Sequence, residues 1–579
     1  MRICNFSSIS SYHCSFTTSR KRFAITNPNR IGASCTTTTH HKWNVSKDLT
    51  SNLEGHNSSE KLWVDYKEKM GEIKQLLLQH SNLDEEMNGK ESLILVDAIQ
   101  RVGMEHHFDE EIEMILGRLY YSTNNFDFIH HDLYYVSLHF RLLRNQGYYV
   151  PPDALSVFKA DDGKFKEKLR QDIGGLMELH EAAQLGLRDE VIIDEVEEFS
   201  RLNLNKWLEK MNDDDLHKMV VKNSLRQPQH KNIARLTARN YIEGVCVKGC
   251  KKGWEKTLFE VAKMDFLIGD LLHQDELLQI SKWCDNVGIC EKLERARRQP
   301  VKWYTWAMAS LINNPSLRLQ RIELTKAIAF IYLIDDIFDL YGTIDDLTLY
   351  TQAINRWEYD AIITLPEYMR NSYKNLLDTI NGIAQKVEQK YATNPIDSLK
   401  ATWGSLSQAM LVEARWFRSR ELPTAKEYLE NGKVSSGIHI VMVHLFYLLG
   451  LGRKQHPINL NDTCTLTSTV ATILRLYDDL GSAKDEHQDG SDGSYIKYCM
   501  NEEADLSEKE ARRRVEDMLS NQWKVINEEC LLRLNHSSVS CFRRGSLNLA
   551  RMVPLMYTYD ENQGLPLLKE HINNTKLFN

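Results

Sequence analysis

The sequence predicts an all-α fold, and three features of the 579-residue chain point to that class. Only 28 Gly and 12 Pro are present, too few for the many turns of a β-sandwich or barrel. From about Leu62 onward, apolar residues recur at three- and four-residue steps, as one face of a helix requires. The length exceeds what one hydrophobic core serves, so we expect two or three helical domains.

The first 47 residues differ in composition from the rest of the chain. They contain seven Lys or Arg, no Asp or Glu, and many Ser and Thr. This composition is typical of an organelle transit peptide, whereas a secretory signal would contain a continuous apolar stretch. We therefore expect residues 1–47 to be a transit peptide, with a plain polar tail as the alternative. The plastid is favoured as the destination, with the mitochondrion or a cytosolic location as alternatives.

The remainder of the chain is acidic. The formal net charge of −8 includes +7 from the first 47 residues, which leaves −15 for the body. An acidic body argues against nucleic acid as a partner. No apolar run reaches the ~18 residues needed to span a bilayer. The eleven cysteines lack the paired spacing of a zinc site or a disulfide framework, so we interpret them as free thiols.

The helical pattern continues along the chain with short interruptions. Residues 93–102, 112–119 and 133–143 each carry apolar side chains at helical spacing. Residues 267–283 look like the beginning of a second helical unit. We therefore predict a domain boundary near residue 270.

A first acidic cluster follows a strongly apolar segment. Residues 327–334 are eight uninterrupted apolar positions, which a helix can satisfy only by being buried nearly all round. Asp335, Asp336 and Asp339 come directly after them, and on a helix Asp335 and Asp339 share a face. Carboxylates at the end of a buried helix repel one another and cost desolvation energy, so a cation should compensate them. A solvated helix end is the alternative interpretation.

A second acidic cluster makes a metal site the better interpretation. Residues 469–474 form another mainly apolar helix, and Asp478, Ser482 and Glu486 then follow at four-residue spacing. Carboxylate and hydroxyl oxygens are the ligands that Mg²⁺ prefers, with water and substrate phosphates completing the shell. Two facing acidic helices therefore suggest a cage that binds a diphosphate through several metal ions. Arg475 is suitably placed to bind phosphate oxygens.

These two clusters resemble the motifs of a known family. DDIFD at 335–339 resembles the aspartate-rich motif of class I terpene synthases, and DDLGSAKDE at 478–486 resembles their second metal-binding motif. Similarity extends over nearly the whole chain after the leader. Residues 93–112 are similar to the N-terminal helical domain of the family, and HQDEL at 273–277 to the beginning of its catalytic domain.

The resemblance implies a two-domain helical plant terpene synthase. The N-terminal domain, residues 48–270, would be a helical barrel-like domain without its own catalytic motif. The catalytic class I terpene synthase bundle would occupy residues 271–579.

The resemblance also implies a set of metal ligands. Asp335 and Asp339 would bind Mg²⁺ from one wall of the site, and Asp478, Ser482 and Glu486 from the other. Three Mg²⁺ ions are expected, with Mn²⁺ as a substitute.

Further roles follow by position. Asp336 would support the first cluster through hydrogen bonds and charge. Arg297 aligns with the first residue of the Arg-Asp-Arg motif of the family, whereas Arg298 and Gln299 depart from that motif. We expect Arg297 and Arg475 to contact the diphosphate. Because Arg298 and Gln299 depart from the motif, we do not assign to this chain the loop closure that the motif supports in the family.

Two observations favour an acyclic product. The segment 299–306 (QPVKWYTW) resembles plant synthases that make linalool and nerolidol, and the Arg-Arg-x8-Trp motif of cyclising monoterpene synthases is absent from the N-terminal region. We expect Trp306 to shelter the allylic cation, with Trp303 and Tyr304 behind it. A place in the ordinary core is the alternative for each of the three.

The predicted reaction is Mg²⁺-dependent ionisation of geranyl diphosphate, with farnesyl diphosphate as a possible second substrate. Water capture at the tertiary C3 of the cation would give linalool or nerolidol. Loss of a proton would instead give myrcene or ocimene. The expected partner is this small substrate alone, with a monomer favoured and neither nucleic acid nor a membrane span involved.

Two local features and two rival functions complete the predictions. Residues 435–438 should break a helix against the pocket, and residues 489–495 are a plausible moving segment. A chain-elongating prenyltransferase is the nearest enzymatic alternative, although Ser482 and Glu486 replace the aspartate repeat of its second motif. A helical scaffold protein is the non-enzymatic alternative, and it would have no reason to bury carboxylates on two helices.

Overall fold

The computed structural model describes residues 57–82, 85–121, 132–212, 216–247, 252–312, 314–419, 422–453, 459–481, 494–531 and 537–557. Within these ranges every regular element is a helix, apart from one isolated bridge between Lys159 and Phe165. The predicted all-α class is therefore confirmed. The predicted transit peptide at 1–47 lies outside the described residues.

The first part of the described chain forms helices α1 to α9. They are α1 Asn57–Asn82, α2 Glu85–Arg101, α3 Asp109–Tyr121, α4 Leu133–Asn145, α5 Ile173–Ala183, α6 Val191–Lys210, α7 Leu216–Arg226, α8 Ala234–Val247 and α9 Gly253–Val287. Short 3₁₀ helices lie between them at Glu105–His107, Pro152–Phe158, Glu167–Gln171 and Gln229–Lys231. The segments predicted at 93–102, 112–119 and 133–143 form α2, α3 and α4. Their apolar faces bury one hydrophobic core, which runs from Tyr66 to Ala262 in the sequence.

The second part forms helices α10 to α20 around a larger core. They are α10 Pro300–Ser310, α11 Arg318–Leu340, α12 Ile344–Arg356, α13 Glu367–Tyr391, α14 Ile396–Ser419, α15 Ala425–Ser435, α16 Ile438–Leu448, α17 Cys464–Leu480, α18 Tyr495–Glu502, α19 Glu508–Leu531 and α20 Ser537–Tyr557. Further 3₁₀ helices lie at Pro315–Leu317, Tyr359–Thr364 and Leu460–Thr463. None of the helices described here combines the length and the apolar character that crossing a bilayer requires.

Helix α9 is continuous across the predicted domain boundary. Residues 267–283, expected to begin a second unit, lie inside this 35-residue helix, which ends only at Gly288 in the left-handed conformation (φ 57°). Leu258 and Phe259 belong to the first core, whereas Ile280 and Cys284 belong to the second. One helix therefore joins both cores, and the division at residue 270 stays a prediction.

A buried asparagine also forms hydrogen bonds between the two parts of the described chain. Asn527 on α19 donates to the carbonyl oxygens of Gln184 (3.0 Å) and Gly186 (2.9 Å). Its side-chain oxygen lies 2.7 Å from Nε2 of His230. These bonds satisfy buried polar groups of both parts, so α19 is held in a fixed relation to the N-terminal helices.

Helices α11 and α17 each bury a continuous segment of the chain shortly before their acidic ends. In α11, six of the eight side chains of residues 327–334 are buried, and Ile331 and Tyr332 are half-buried. In α17, all six side chains of residues 469–474 are buried. Both helices end in pairs of aspartates, so the packing that buries the helices also fixes the positions of the acidic groups.

The predicted helix break at 435–438 is confirmed. Helix α15 ends at Ser435 and α16 begins at Ile438, with Gly437 between them at φ +72°, a conformation that favours glycine. A Cβ atom at Gly437 would lie 2.6 Å from Cγ2 of Ile331 on α11. The break is thus packed against α11 one turn before Asp335.

Candidate active site

The first acidic cluster lies at the C-terminal end of α11. The side chain of Asp335 is 37% exposed, whereas that of Asp336 is only 2% exposed. Asp339, one turn further on, is exposed. Asp335 and Asp339 are therefore accessible to a ligand, and Asp336 faces the protein.

Arg297 binds both aspartates of the DD pair. Its backbone N–H and its Nε donate to the two oxygens of Asp336, at 2.7 and 2.6 Å. Its Nη2 donates to Asp335 at 2.6 Å. Burial raises the pKa of Asp336 to about 6 against the opposing effect of Arg297, with a further increase from Asp335. Arg297 thus offsets part of the charge that α11 concentrates at its end.

Aromatic rings adjoin this arginine. The guanidinium carbon of Arg297 and the Nζ of Lys302 both lie 5.5 Å from the centre of the Tyr332 ring. The Tyr332 hydroxyl accepts a hydrogen bond from Nε1 of Trp306 at 3.1 Å. Trp306, which is 5% exposed, is therefore linked to the first cluster through Tyr332 and Arg297. Its predicted role in sheltering a cation stays a prediction.

Tyr304 is engaged elsewhere. Its hydroxyl donates to Glu276 at 2.8 Å and lies 2.6 Å from Nδ1 of His273, both on α9. Arg321 completes this buried network with two bonds to Glu276, at 2.5 and 2.8 Å. The network ties α9, α10 and α11 together, and it favours the ordinary-core interpretation for Tyr304. Trp303 is also fully buried.

The second acidic cluster lies at the end of α17. Asp478 is 24% exposed, and Nη1 of Arg475 donates to it at 3.3 Å. The helix ends at Leu480, because Gly481 adopts an extended conformation (φ −78°, ψ 109°). Ser482 and Glu486 lie outside the described residues, so the shared helical face predicted for them with Asp478 stays a prediction. Most of the segment predicted to move, 489–493, lies outside them as well.

The neighbouring Asp479 is bound by the protein. The Tyr428 hydroxyl donates to Oδ1 at 2.9 Å, and the backbone N–H of Tyr495 donates to Oδ2 at 2.8 Å. Burial raises the pKa of Asp479 to about 6, opposed by Arg475 and by these hydrogen bonds. In both DD pairs, one aspartate is accessible and the other is held by the protein.

A carboxylate that sequence reasoning missed connects the two clusters. Glu413 on α14 accepts a hydrogen bond from the Ser435 hydroxyl at 2.6 Å, and that hydroxyl also accepts from Nη2 of Arg475 at 3.0 Å. Burial raises the pKa of Glu413; Arg475 opposes the rise and Asp335 adds to it. Ser435 therefore joins Glu413 to Arg475 of α17, and Gly437, two residues further on, lies against Ile331 of α11 one turn before Asp335. A carboxylate directly after the apolar residues 409–412 was the signal that could have found it.

Arg475 is held tightly in place. A Cβ atom at Gly432 would lie 2.8 Å from its Nε, so α15 approaches α17 closely only because residue 432 is glycine. Burial works against the charge of Arg475, but Tyr428, Glu413 and Asp478 together keep its pKa well above the usual value. The guanidinium therefore stays charged beside Asp478.

The remaining residues of the predicted arginine motif differ in their surroundings. Arg298 is exposed and forms an ion pair with Asp285. Gln299 is exposed and precedes the first turn of α10, where its carbonyl accepts the N–H of Trp303 at 3.1 Å. Of the three positions, only Arg297 contacts the acidic cluster among the described residues.

The accessible donors suit a hard divalent cation. Asp335, Asp339 and Asp478 offer carboxylate oxygens, the preferred ligands of Mg²⁺. Because Arg297 and Arg475 each contact one acidic end, the site also holds fixed positive charge for an anionic substrate. The donor set therefore fits Mg²⁺ together with a diphosphate.

A different group of possible metal ligands lies among the N-terminal helices. Ligand atoms of His106, His107 and Asp265 lie within 4.8 Å of one another. Asp265 already accepts a hydrogen bond from Tyr66 at 2.9 Å and faces the Arg235 guanidinium at 3.5 Å. A divalent cation would be repelled by that guanidinium, so we interpret this group as a buried polar network.

Comparison with known proteins identifies two domain families along the chain. Residues 40–225 match the N-terminal domain of terpene synthases, and residues 285–525 match the metal-binding domain of the terpene synthase family. The second range contains both acidic clusters and both arginines.

Characterised relatives cover nearly the whole chain. A chloroplastic tricyclene synthase of Antirrhinum majus is 46% identical and covers 98% of each chain. An (E)-nerolidol synthase of Cannabis sativa is 44% identical over 84% of this chain and 88% of the relative. A chloroplastic S-(+)-linalool synthase of Arabidopsis thaliana is 40% identical over 82% and 83%.

A solved structure shares the same architecture. Isoprene synthase from grey poplar leaves, in complex with three Mg²⁺ ions and dimethylallyl-S-thiolodiphosphate, is 29% identical with a TM-score of 0.79. The similarity covers 88% of this chain and 96% of the poplar chain.

Proposed function

Because this chain belongs to the plant terpene synthase family, we propose that it converts geranyl diphosphate to linalool, and farnesyl diphosphate to nerolidol, with Mg²⁺. One observation carries the proposal. Ser435 bonds Arg475 of α17, and Gly437, two residues further on, lies against Ile331 of α11, one turn before Asp335. The acidic ends of α11 and α17 therefore both adjoin the break between α15 and α16, with an arginine at each end.

Asp335 and Asp339 would hold Mg²⁺ from α11, and Asp478 from α17, with Ser482 and Glu486 as the further ligands that the motif implies. Three ions are proposed, with Mn²⁺ as a substitute. Bound Mg²⁺ would neutralise the charge that develops on the diphosphate as its C–O bond breaks.

Arg475 and Arg297 would stabilise the same developing charge on the diphosphate. Arg475 stays cationic and is fixed by Ser435 and Gly432, so it can donate to phosphate oxygens without reorganising. Arg297 is held by the buried Asp336, which directs its guanidinium along the rim of the first cluster. The faces of Trp306 and Tyr332 would stabilise the allylic cation that remains. Water captured at the tertiary carbon then gives an open-chain alcohol.

The acyclic product is supported by the linalool and nerolidol relatives, by the segment 299–306, and by the N-terminal region without the Arg-Arg-x8-Trp motif. A second candidate comes from the tricyclene synthases, which are more similar to this chain over a greater length. In that case the cation would close a ring before it is quenched, and the product would be a cyclic hydrocarbon.

Product analysis distinguishes these outcomes. The protein lacking residues 1–47 is incubated with geranyl or farnesyl diphosphate and Mg²⁺, and volatiles are identified by chiral gas chromatography. Linalool and nerolidol are expected. Tricyclene would establish the second candidate, myrcene or ocimene would indicate proton loss, and chain elongation with added isopentenyl diphosphate would indicate a prenyltransferase.

We also propose a plastid location, which fits the basic, acid-free leader and the chloroplastic relatives. Geranyl diphosphate is then the expected main substrate. Residues 1–47 fused to a fluorescent protein should direct it to plastids in leaf cells. A cytosolic signal would instead favour farnesyl diphosphate. A monomer is proposed as well, and light scattering of the purified protein tests it.

A further inference from the structure

Tyr428 contacts both Asp479 and Arg475 near the end of α17, although it belongs to neither acidic motif. It lies on α15, is 5% exposed, and donates its hydroxyl to Asp479 at 2.9 Å. The guanidinium carbon of Arg475 lies 5.8 Å from the centre of its ring. The same side chain therefore contacts α17 through its hydroxyl and through its aromatic face.

The bond to Asp479 fixes the end of α17. The carboxylate of Asp479 is held between the Tyr428 hydroxyl and the backbone N–H of Tyr495, the first residue of α18. Because Asp478 precedes Asp479 directly, fixing this carboxylate also fixes the backbone that carries Asp478. The Tyr428 ring in turn packs against Tyr498 on α18, with ring centres 4.9 Å apart. Three helices are thus joined at one side chain.

The ring face orients the arginine. Arg475 donates to Ser435 and Asp478, and the Tyr428 ring lies within cation–π distance of its guanidinium. A guanidinium with these three contacts is limited to one orientation. A preorganised cation binds an anionic substrate better than one that must be ordered on binding.

We infer that Tyr428 is a positioning residue of the diphosphate site: its hydroxyl holds Asp479, and with it Asp478, and its ring holds Arg475. This inference rests on the proposed function of the site. Tyr428 touches neither substrate nor metal in this scheme, and it acts through the two groups that do.

The hydroxyl and the ring can be tested separately. Tyr428→Phe removes only the hydroxyl, so we expect the half-saturating Mg²⁺ concentration for binding inorganic pyrophosphate to rise about five- to tenfold. Tyr428→Leu removes the ring as well, so pyrophosphate affinity at saturating Mg²⁺ should also fall about tenfold. Isothermal titration calorimetry measures both quantities without requiring turnover, and far-UV circular dichroism checks folding.

Tyr447→Phe is the matched control, because it removes a hydroxyl that bonds Ser398 at 2.9 Å on another face of the domain. Its Mg²⁺ dependence should equal that of the wild type. Asp479→Asn weakens the bond that Tyr428→Phe removes, so it should change the Mg²⁺ dependence in the same direction. The double variant should be little worse than Tyr428→Phe, because both changes act on the same hydrogen bond.

Three results would overturn the inference: an unchanged Mg²⁺ dependence in Tyr428→Phe, independent effects that multiply in the double variant, or an equal effect in Tyr447→Phe. If Tyr428→Phe does not fold, Asp479→Asn decides alone, since an unchanged Mg²⁺ dependence there also rejects the role. A wild-type protein that binds Mg²⁺ and pyrophosphate but releases no terpene would reject the proposed function, while the positioning role would still be judged by binding.

Discussion

Arg297→Ala should destabilise the metal-free protein by an amount that depends on pH. The substitution removes the Nε donor of the buried Asp336 and the Nη2 donor of Asp335, while the backbone N–H of residue 297 remains. The side chain of Asp336 is 2% exposed, so water cannot replace the lost donor. Asp336 must then stay charged without its partner or take up a proton.

Protonation of Asp336 sets an upper limit on the free energy of unfolding that is lost with Arg297. Breaking a buried ion pair costs about 3–5 kcal/mol when the remaining charge persists. The pKa of Asp336 is about 6 with Arg297 present, so protonating it at pH 7.5 costs about 2 kcal/mol, at about 1.4 kcal/mol per pH unit. Removing Arg297 from beside a neutral carboxyl then costs little more. We expect a loss of about 2 kcal/mol at pH 7.5, and well below ~1 kcal/mol at pH 6.

The direction of this pH dependence follows from the raised pKa of Asp336. Above pH 6 the folded wild type keeps Asp336 ionised beside Arg297, and this is the interaction that the variant loses. As the pH falls toward 6 the wild type protonates as well, so the two proteins converge. The exposed contact with Asp335 adds little at any pH because water screens it.

Thermal unfolding with EDTA at pH 7.5, 7.0, 6.5 and 6.0 measures the difference. At pH 7.5 the apparent Tm should be roughly 2–3 °C below that of the wild type, and the difference should shrink toward pH 6. Lys302→Ala is the matched control, because it removes the other cation beside Tyr332. A difference that stays constant with pH, or that persists with the same trend in Arg297→Ala/Asp336→Asn, would refute the reasoning.

Three further predictions concern the metal ligands, the helix break and a buried histidine. Asp335→Ala or Asp478→Ala should reduce terpene release at least about 10³-fold, because each removes a predicted Mg²⁺ ligand, and near-normal rates by gas chromatography would reject those ligands. Gly437→Ala should lower the free energy of unfolding by roughly 1–2 kcal/mol for the φ of +72° alone, with more for the 2.6 Å contact to Ile331; an unchanged Tm would contradict this. Burial lowers the pKa of His444 to about 4, so unfolding takes up a proton below pH 6.5 and stability falls as the pH drops toward 4. Between pH 7.5 and 5, the free energy of unfolding of His444→Gln should therefore fall by about 2 kcal/mol less than that of the wild type. Chemical denaturation at the two pH values measures this difference.

The helices could be predicted because their apolar residues follow a strict period. The uninterrupted apolar residues 327–334 required burial on nearly every side, and six of these eight side chains are buried. The mainly apolar residues 469–474 are all buried as well. The break at Gly437 was also predictable, since glycine and two serines interrupt an apolar pattern there. The domain boundary was harder to predict, because α9 continues through residue 270 with apolar contacts to both cores and no helix-ending signal before Gly288.

The partners of the acidic groups could not be predicted from spacing. Arg297 precedes Asp336 by 39 residues, and Tyr428 precedes Asp479 by 51, so only the packing of whole helices brings each pair together. The position of Glu413 depends on its bond to Ser435 of α15, which in turn accepts a hydrogen bond from Arg475 of α17. The period of apolar residues predicts a single helix, whereas these contacts depend on the angles and relative positions of several helices.

In both DD pairs, hydrogen-bond donors of the protein bind the second aspartate. On α11 the second aspartate, Asp336, is buried and bound by Arg297; on α17 the second aspartate, Asp479, is bound by Tyr428 and a backbone N–H. On α11, Asp335 is 37% exposed against 2% for Asp336, and on α17, Asp478 is 24% exposed. Burial raises the pKa of Asp336 and of Asp479 to about 6. We propose that a carboxylate anchored in this way holds its neighbour toward the site and does not itself bind the metal.

Conservative variants of the two anchors should therefore behave alike. Asp336→Asn and Asp479→Asn each keep the shape of the side chain but weaken its hydrogen bonds, so both should raise the Mg²⁺ requirement while saturating Mg²⁺ restores most of the turnover. Asp335→Asn and Asp478→Asn remove a ligand charge instead, and added Mg²⁺ should not restore them. Turnover measured across a Mg²⁺ titration separates the two classes. Identical behaviour of all four variants would show that the paired aspartates share one role.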